Sequence, residues 1–211
     1  RKFTCIYFRK FRFIIMDIVE NFIYTEMLDH DLHTQRKTAH YMQNYINNEF
    51  SDGREFNGQV TLSTKLFDKY NYLMYPLPGI YQLYSSIKNV FHKVNDGLYE
   101  DYFIQCWLNF YYKGDFIDWH GHWPTEAESW HGFYCLDVEP ESYTEYKLED
   151  KLIKVPSKDN LLVISRSGRD VHKSSEWTED RPRITIAFDI VPAEKLFDVG
   201  AYRNPNHWIP I

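Results

Sequence analysis

At 211 residues the chain is long enough for one domain with a full core and short for two. Its 17 Tyr, 15 Phe and 6 Trp, within a hydrophobic content of 44%, exclude a disordered or linker-rich chain. The net charge of -6 provides no general basic surface, which counts against nucleic acid as a partner.

Residues 1–15 carry five basic residues and no acidic one. Charge interrupts their apolar run every few positions, so they suit neither a signal-peptide core nor a membrane span. They read as a leader outside the native fold, with Met16 as a candidate start and Met16-Asp17-Ile18-Val19-Glu20-Asn21-Phe22 opening a strand that pairs with the core sheet. Apolar positions at helical spacing predict a helix over residues 33–47. The cluster Asp29-His30-Asp31-x-His33 at its start reads as a solvated polar face rather than a metal site. Ser51-Asp52-Gly53-Arg54 and Asn57-Gly58 are turns around short strand-like text ending at Leu66. Past Pro76 and Pro78, Ile80, Leu83, Ile87, Val90, Phe91 and Val94 recur at three and four spacing. They predict an amphipathic helix, closed by Asn95-Asp96-Gly97, that packs on the outer face of a sheet, with His92 as a partly exposed structural residue.

Strand text follows. Residues 102–112 predict the first long core strand and 131–138 the next, with the loop 123–130 placed to line a substrate entrance. Residues 139–155 read as a charged hairpin with a solvated face, and a turn over 157–160 runs into a buried strand at Leu161. The last core strand covers 183–190, and the tail beyond Pro192 is expected to wrap the surface. Cys5, Cys106 and Cys135 are odd in number and form no CxxC, and the two in apolar strand-like runs, Cys106 and Cys135, read as buried thiols of a reducing, cytoplasmic compartment.

Two stretches carry the chemistry. If His120 ends or follows a strand, His120 and His122 point to one side of an extended backbone, and that spacing chelates one metal ion. His172, some fifty residues later and beyond a buried strand, suits a third ligand. In the final strand Arg183, Thr185 and Ala187 share a face, which lets Arg183 sit beside the metal. Arg169 and Arg181 read as surface residues, His131 as core or an outer group behind the ligands, and Trp119 and Trp123 as pocket walls or core. Asn109 shares a side with Tyr111, facing either the pocket or away from it. No phosphate-cradling glycine loop, Gly-x-Ser-x-Gly elbow or zinc-type cysteine pattern is present.

The pattern His-x-(Asp/Glu), about fifty residues, His, about ten residues, Arg-x-(Ser/Thr) resembles the iron(II)- and 2-oxoglutarate-dependent oxygenases. The segment Asn109–His120, with its Tyr-Tyr-x-Gly, resembles the prolyl-4-hydroxylase-like branch and the phage and bacterial 2OG-Fe(II) oxygenase group. The likeness covers roughly residues 100–192. It implies a mainly β domain over 16–211 with flanking helices: helical support over about 24–97, a double-stranded β-helix (a cupin-like jelly roll) over about 100–192, and a tail over 193–211. It further implies that His120 and His172 hold iron(II), that Arg183 clamps the distal carboxylate of 2-oxoglutarate with help from the Thr185 hydroxyl, and that Tyr112 supplies a phenol to the same co-substrate. The implied reaction uses dioxygen to hydroxylate a small molecule or a protein side chain and releases succinate and carbon dioxide, with ascorbate as reductant. No membrane is involved.

One position departs from the pattern. His122 stands where the carboxylate of a 2-His-1-carboxylate triad belongs. His122 is itself a candidate third ligand. The other candidates are chloride, water or a carboxylate from Asp118, Glu126, Glu128 or Glu176. Two alternatives to the hydroxylase follow: a three-histidine dioxygenase that needs no co-substrate, against which Arg183 and Thr185 argue, and a catalytically silent β-helix binding module.

Overall fold

The computed structural model describes residues 17–20, 22–50, 62–95, 99, 101–149, 151–198 and 207–211. The basic leader, Cys5, the turns expected at 51–54 and 57–58, and Asp96-Gly97 lie outside them.

Two long strands form the spine. β3 (Tyr102–Tyr111) and β9 (Arg183–Pro192) pair antiparallel without a break, from Tyr102 opposite Pro192 to Tyr111 opposite Arg183. Almost every residue in both is buried, which requires cover on both faces and explains why their text is so continuously apolar. Strand alternation divides the pair into two sides. Ile104, Cys106, Leu108 and Phe110, with Ile184, Ile186, Phe188 and Ile190, join the main core. Trp107, Asn109, Tyr111, Arg183, Thr185 and Ala187 line a cavity on the other side.

β4 (Trp130–Asp137) and β7 (Leu161–Arg166) continue the sheet, followed by β2 (Ile23–Met27) and β1 (Asp17–Glu20), in the order β1-β2-β7-β4-β9-β3-β10. A smaller sheet has the order β6-β5-β8, with β5 at Tyr143–Leu148, β6 at Lys151–Pro156 and β8 at Val171–Ser174. The chain alternates between the two sheets, which enclose the cavity as a double-stranded β-helix.

Helices α1 (Leu32–Glu49) and α3 (Ile80–Val94) cover the other side of the large sheet. Their apolar stripes, Ala39, Met42 and Ile46 on one and Leu83, Ile87, Val90 and Phe91 on the other, merge with the outer strand residues in one core. Asp31 caps α1 by accepting from the His33 amide at 3.1 Å. His30 departs from expectation. It is buried, 2.9 Å from the Ser86 hydroxyl and against the Tyr134 ring, so it belongs to the helix–sheet interface and not to a solvated face.

The exposed edge of β3 is covered by side chains that imitate a strand. Asn71 accepts from the Cys106 amide and donates to the Ile104 carbonyl, and the Leu108 amide donates to the Tyr70 hydroxyl. The segment carrying these residues begins with a helical turn, α2 (Leu62–Lys65), where strand-like text is expected. The tail differs as well. Ala193–Asp198 forms α4, and β10 (Ile209–Pro210) adds to the sheet beside β3 and buries Trp208.

Candidate metal centre

The stretch between β3 and β4 does more than connect. Residues 114–120 run antiparallel to β8 and the residues after it. The Gly114 amide donates to the Trp177 carbonyl at 2.7 Å, and the Ser174 amide to the Ile117 carbonyl at 3.0 Å. His120 and His172 exchange both backbone hydrogen bonds, at 3.0 and 2.9 Å. Two residues distant in sequence are thereby locked side by side, with ring centroids 4.3 Å apart.

His122 completes the group. One nitrogen from each of His120, His122 and His172 falls within 4.8 Å of the others, close enough to share one metal ion. The outward nitrogens face oxygen. His120 Nδ1 lies 2.7 Å from the Asp118 carbonyl oxygen, His122 Nδ1 lies 2.6 Å from Asp189 Oδ1, and His172 Nδ1 lies 3.8 Å from Asp170 Oδ2. At His120 a proton held on Nδ1 towards the Asp118 carbonyl leaves the lone pair on Nε2, the form an imidazole ligand needs; His172 Nδ1 is buried without a hydrogen-bond partner. Burial, reinforced for His172 by the neighbouring imidazoles, holds both His120 and His172 below the ordinary histidine range, so they stay neutral and able to ligate.

A second set, His131, Asp170 and His172, also comes within ligand distance. Two of its members pair with each other: His131 Nε2 lies 3.1 Å from both Asp170 oxygens, and Asp170 also accepts from the Ser165 hydroxyl. Burial alone would raise the Asp170 carboxyl, but His131 and Ser165 outweigh it and keep the group ionised. All three residues are buried, and His131 and His172 line the same cavity as His120 and His122. His131 is stacked on His122 and His172, with centroids 4.4 and 4.7 Å away.

From the imidazoles the cavity runs to Arg183. This guanidinium is 1% exposed. Nη2 donates to the Ser157 hydroxyl at 3.3 Å, and the group lies 5.0 Å over the Tyr111 ring. Nε and Nη1 are buried without a hydrogen-bond partner. Thr185 stands beside it and accepts from Asn109 Nδ2 at 3.3 Å, while Thr64 donates to Asn109 Oδ1 at 2.9 Å. A buried cation with two orphaned donors fits an acid small enough to reach from there to the metal site.

Solved structures share this architecture. A Pseudomonas putida prolyl-4-hydroxylase is 14% identical, with a TM-score of 0.55 over 81% of this chain and 85% of that one. A prolyl hydroxylase from Trichoplax adhaerens, solved with a hypoxia inducible factor peptide, is 16% identical, with a TM-score of 0.53 over 79% and 83%. The non-heme alpha-ketoglutarate-dependent carbocyclase SnoK gives 14% and 0.56 over 81% and 79%. The chain has the fold of these oxygenases. No protein-family model matches it, and no curated protein sequence does.

Within this oxygenase fold two expectations about the site need correction. Tyr112 is 48% exposed and lies outside the cavity, its hydroxyl 3.4 Å from Gln43 Nε2. Tyr111, one residue earlier, is the cavity phenol, because it shares strand parity with Asn109 and pairs with Arg183. Burial raises the phenol above its ordinary range, with the Arg183 charge and then the hydrogen bonds to Thr185 and Ser174 only partly opposing it. The carboxylates proposed to replace the missing ligand are also displaced. Asp118, Glu126 and Glu176 are exposed, and Glu128 sits in a left-handed turn after residues 125–127. The carboxylates beside the imidazoles are Asp170 and Asp189. Both carry a sequence signal: Asp170 has the parity of His172, and Asp189 is an acid inside an apolar strand at the parity of Arg183.

Proposed function

We propose that the protein is an iron(II)- and 2-oxoglutarate-dependent oxygenase that hydroxylates a small molecule or a protein side chain. The carrying observation is one cavity with three converging imidazoles at one end and a buried, incompletely partnered guanidinium at the other. His120, His122 and His172 would hold iron, and Arg183, Ser157 and Thr185 the distal carboxylate of the co-substrate. When bound, iron and 2-oxoglutarate supply an oxidative decarboxylation to succinate and carbon dioxide that puts one oxygen atom of dioxygen into a substrate C–H bond.

The chain's own residues set the conditions. Arg183 fixes the length of acid accepted, because its position on β9 sets its distance from the imidazoles. Trp107 and Phe133 keep bulk water from the acid between them. A second cavity, lined by Thr64, Phe67, Trp107 and Asp189, also reaches His120 and His122 and would give the substrate its approach. Cys106 and Cys135 are buried free thiols, consistent with the reducing cytoplasm that keeps iron ferrous.

The test is anaerobic. Iron(II) is added to metal-free protein, then 2-oxoglutarate, and the visible charge-transfer absorption of a metal-chelated 2-oxo acid is recorded for wild type, His122→Ala and Arg183→Ala. The band should form in wild type and be lost in both variants. Iron binding without a band in wild type would sink the co-substrate assignment and leave the three-histidine dioxygenase as the better reading.

A further inference from the structure

Three neutral imidazoles bring no charge to a divalent cation, whereas two imidazoles and a carboxylate bring one negative charge. The position that accounts for the difference is His122, and directly behind it lies a carboxylate. Asp189 Oδ1 is 2.6 Å from His122 Nδ1, and Oδ2 accepts from the Trp123 indole at 3.1 Å. Asp189 is 2% exposed, inside a strand whose other inward residues are Arg183, Thr185 and Ala187. The 2.6 Å contact pairs the carboxylate with the His122 ring, and a proton held on Nδ1 towards it would leave the Nε2 lone pair for the metal.

We infer that Asp189 is the displaced carboxylate of this metal centre: a positioning residue that supplies, through His122, the negative charge the ligand set lacks. The inference rests on His122 being a ligand, as in the reading above. A cation bound at Nε2 withdraws electrons from the ring and makes the Nδ1 proton more acidic. The buried carboxylate stabilises that polarisation and orients the ring, without entering the coordination sphere. Asp170 does not compete for the role. It lies 3.8 Å from His172 Nδ1, and its charge is taken up by His131 and Ser165.

The experiment measures cobalt(II) affinity of the metal-free protein without oxygen, by titration of the cobalt absorption. Asp189→Asn, which keeps shape and the indole contact but loses the charge, should bind cobalt(II) about 10- to 100-fold more weakly than wild type. In a His122→Asp background the carboxylate is already a ligand, so adding Asp189→Asn should leave affinity unchanged or tighten it, two adjacent carboxylates being repulsive. An affinity of Asp189→Asn within about twofold of wild type overturns the inference, as does an equal loss in both backgrounds, which marks a merely structural role. His122→Ala separates the two levels. If it keeps full cobalt(II) affinity, the ligand assignment falls and the inference with it; if it loses affinity while Asp189→Asn does not, the inference alone fails. Should Asp189→Asn not fold, as judged by far-UV circular dichroism, His122→Asp is compared with the double variant, and a further loss of about tenfold in the double overturns the inference.

Discussion

Arg183 carries a permanent charge to a place that is 1% exposed, with one hydroxyl and one aromatic face as its partners and Nε and Nη1 unpaired. Burying a charge without a counter-ion costs more than any hydrogen bond returns, so the protein stores instability at this residue that an acid relieves. Replacing Arg183 with methionine, of similar length and no charge, is expected to stabilise the ligand-free protein by on the order of 1–3 kcal/mol in urea unfolding. The same variant should lose the stabilisation that 2-oxoglutarate gives wild type. A variant that unfolds earlier than wild type without ligand would mean that the guanidinium holds the sheet together rather than awaiting an acid. At this scale the sequence names His120, His122, His172, Arg183 and Thr185, and the fold brings them to one cavity. Tyr112 was readable only one residue out of place. Strand parity is strict, but where β3 ends and the turn begins is set by the Gly114 and Trp177 backbone pairing, a contact between residues far apart in sequence.

At the scale of elements, β4 is an interior strand that pairs with β7 on one side and β9 on the other. Gly132 is its third residue, where an added Cβ would come 2.2 Å from the Val163 carbonyl oxygen and 2.4 Å from the Phe188 ring. Neither can move away cheaply, because one is sheet backbone and the other a core side chain. Gly132→Ala should therefore destabilise the fold by about 3 kcal/mol, measured from denaturant midpoints, with the helices' own sequence unaltered. A loss below about 1 kcal/mol would show that Phe188 repacks and that the layer is looser than its burial suggests. Elements with strong periodicity were legible. The helix expected from Ile80 is observed at Ile80–Val94, and that expected over 33–47 spans Leu32–Glu49. The helical turn at Leu62–Lys65 and strand β10 were not, because each is too short for a pattern and gains its structure from the edge of β3.

For the molecule as a whole, several histidines are held neutral inside the fold, and their stability contribution has a definite sign. Burial lowers His30 below its ordinary value of 6.5, with Asp29 only partly opposing. Above that value folded and unfolded chains are both neutral and stability is complete. As pH falls below it the unfolded chain takes the proton that the folded chain refuses, and stability is lost. His30→Gln keeps a polar partner for Ser86 but cannot titrate, so its fall in Tm from about pH 7.5 to about pH 5 should be smaller than that of metal-free wild type. Equal falls would show that His30 is not held neutral in the fold. Local order and residue type suffice to announce strands, helices and a metal-chelating set, because alternation, helical spacing and ligand chemistry are properties of short stretches of chain. They do not say which acids stand behind the imidazoles, which tyrosine meets Arg183, or that His30 is buried. Those depend on the register of β9 between β3 and β4, on the pairing of residues 114–120 with β8, and on helices laid across the sheet, and such long-range contacts form only when the whole domain closes around its core.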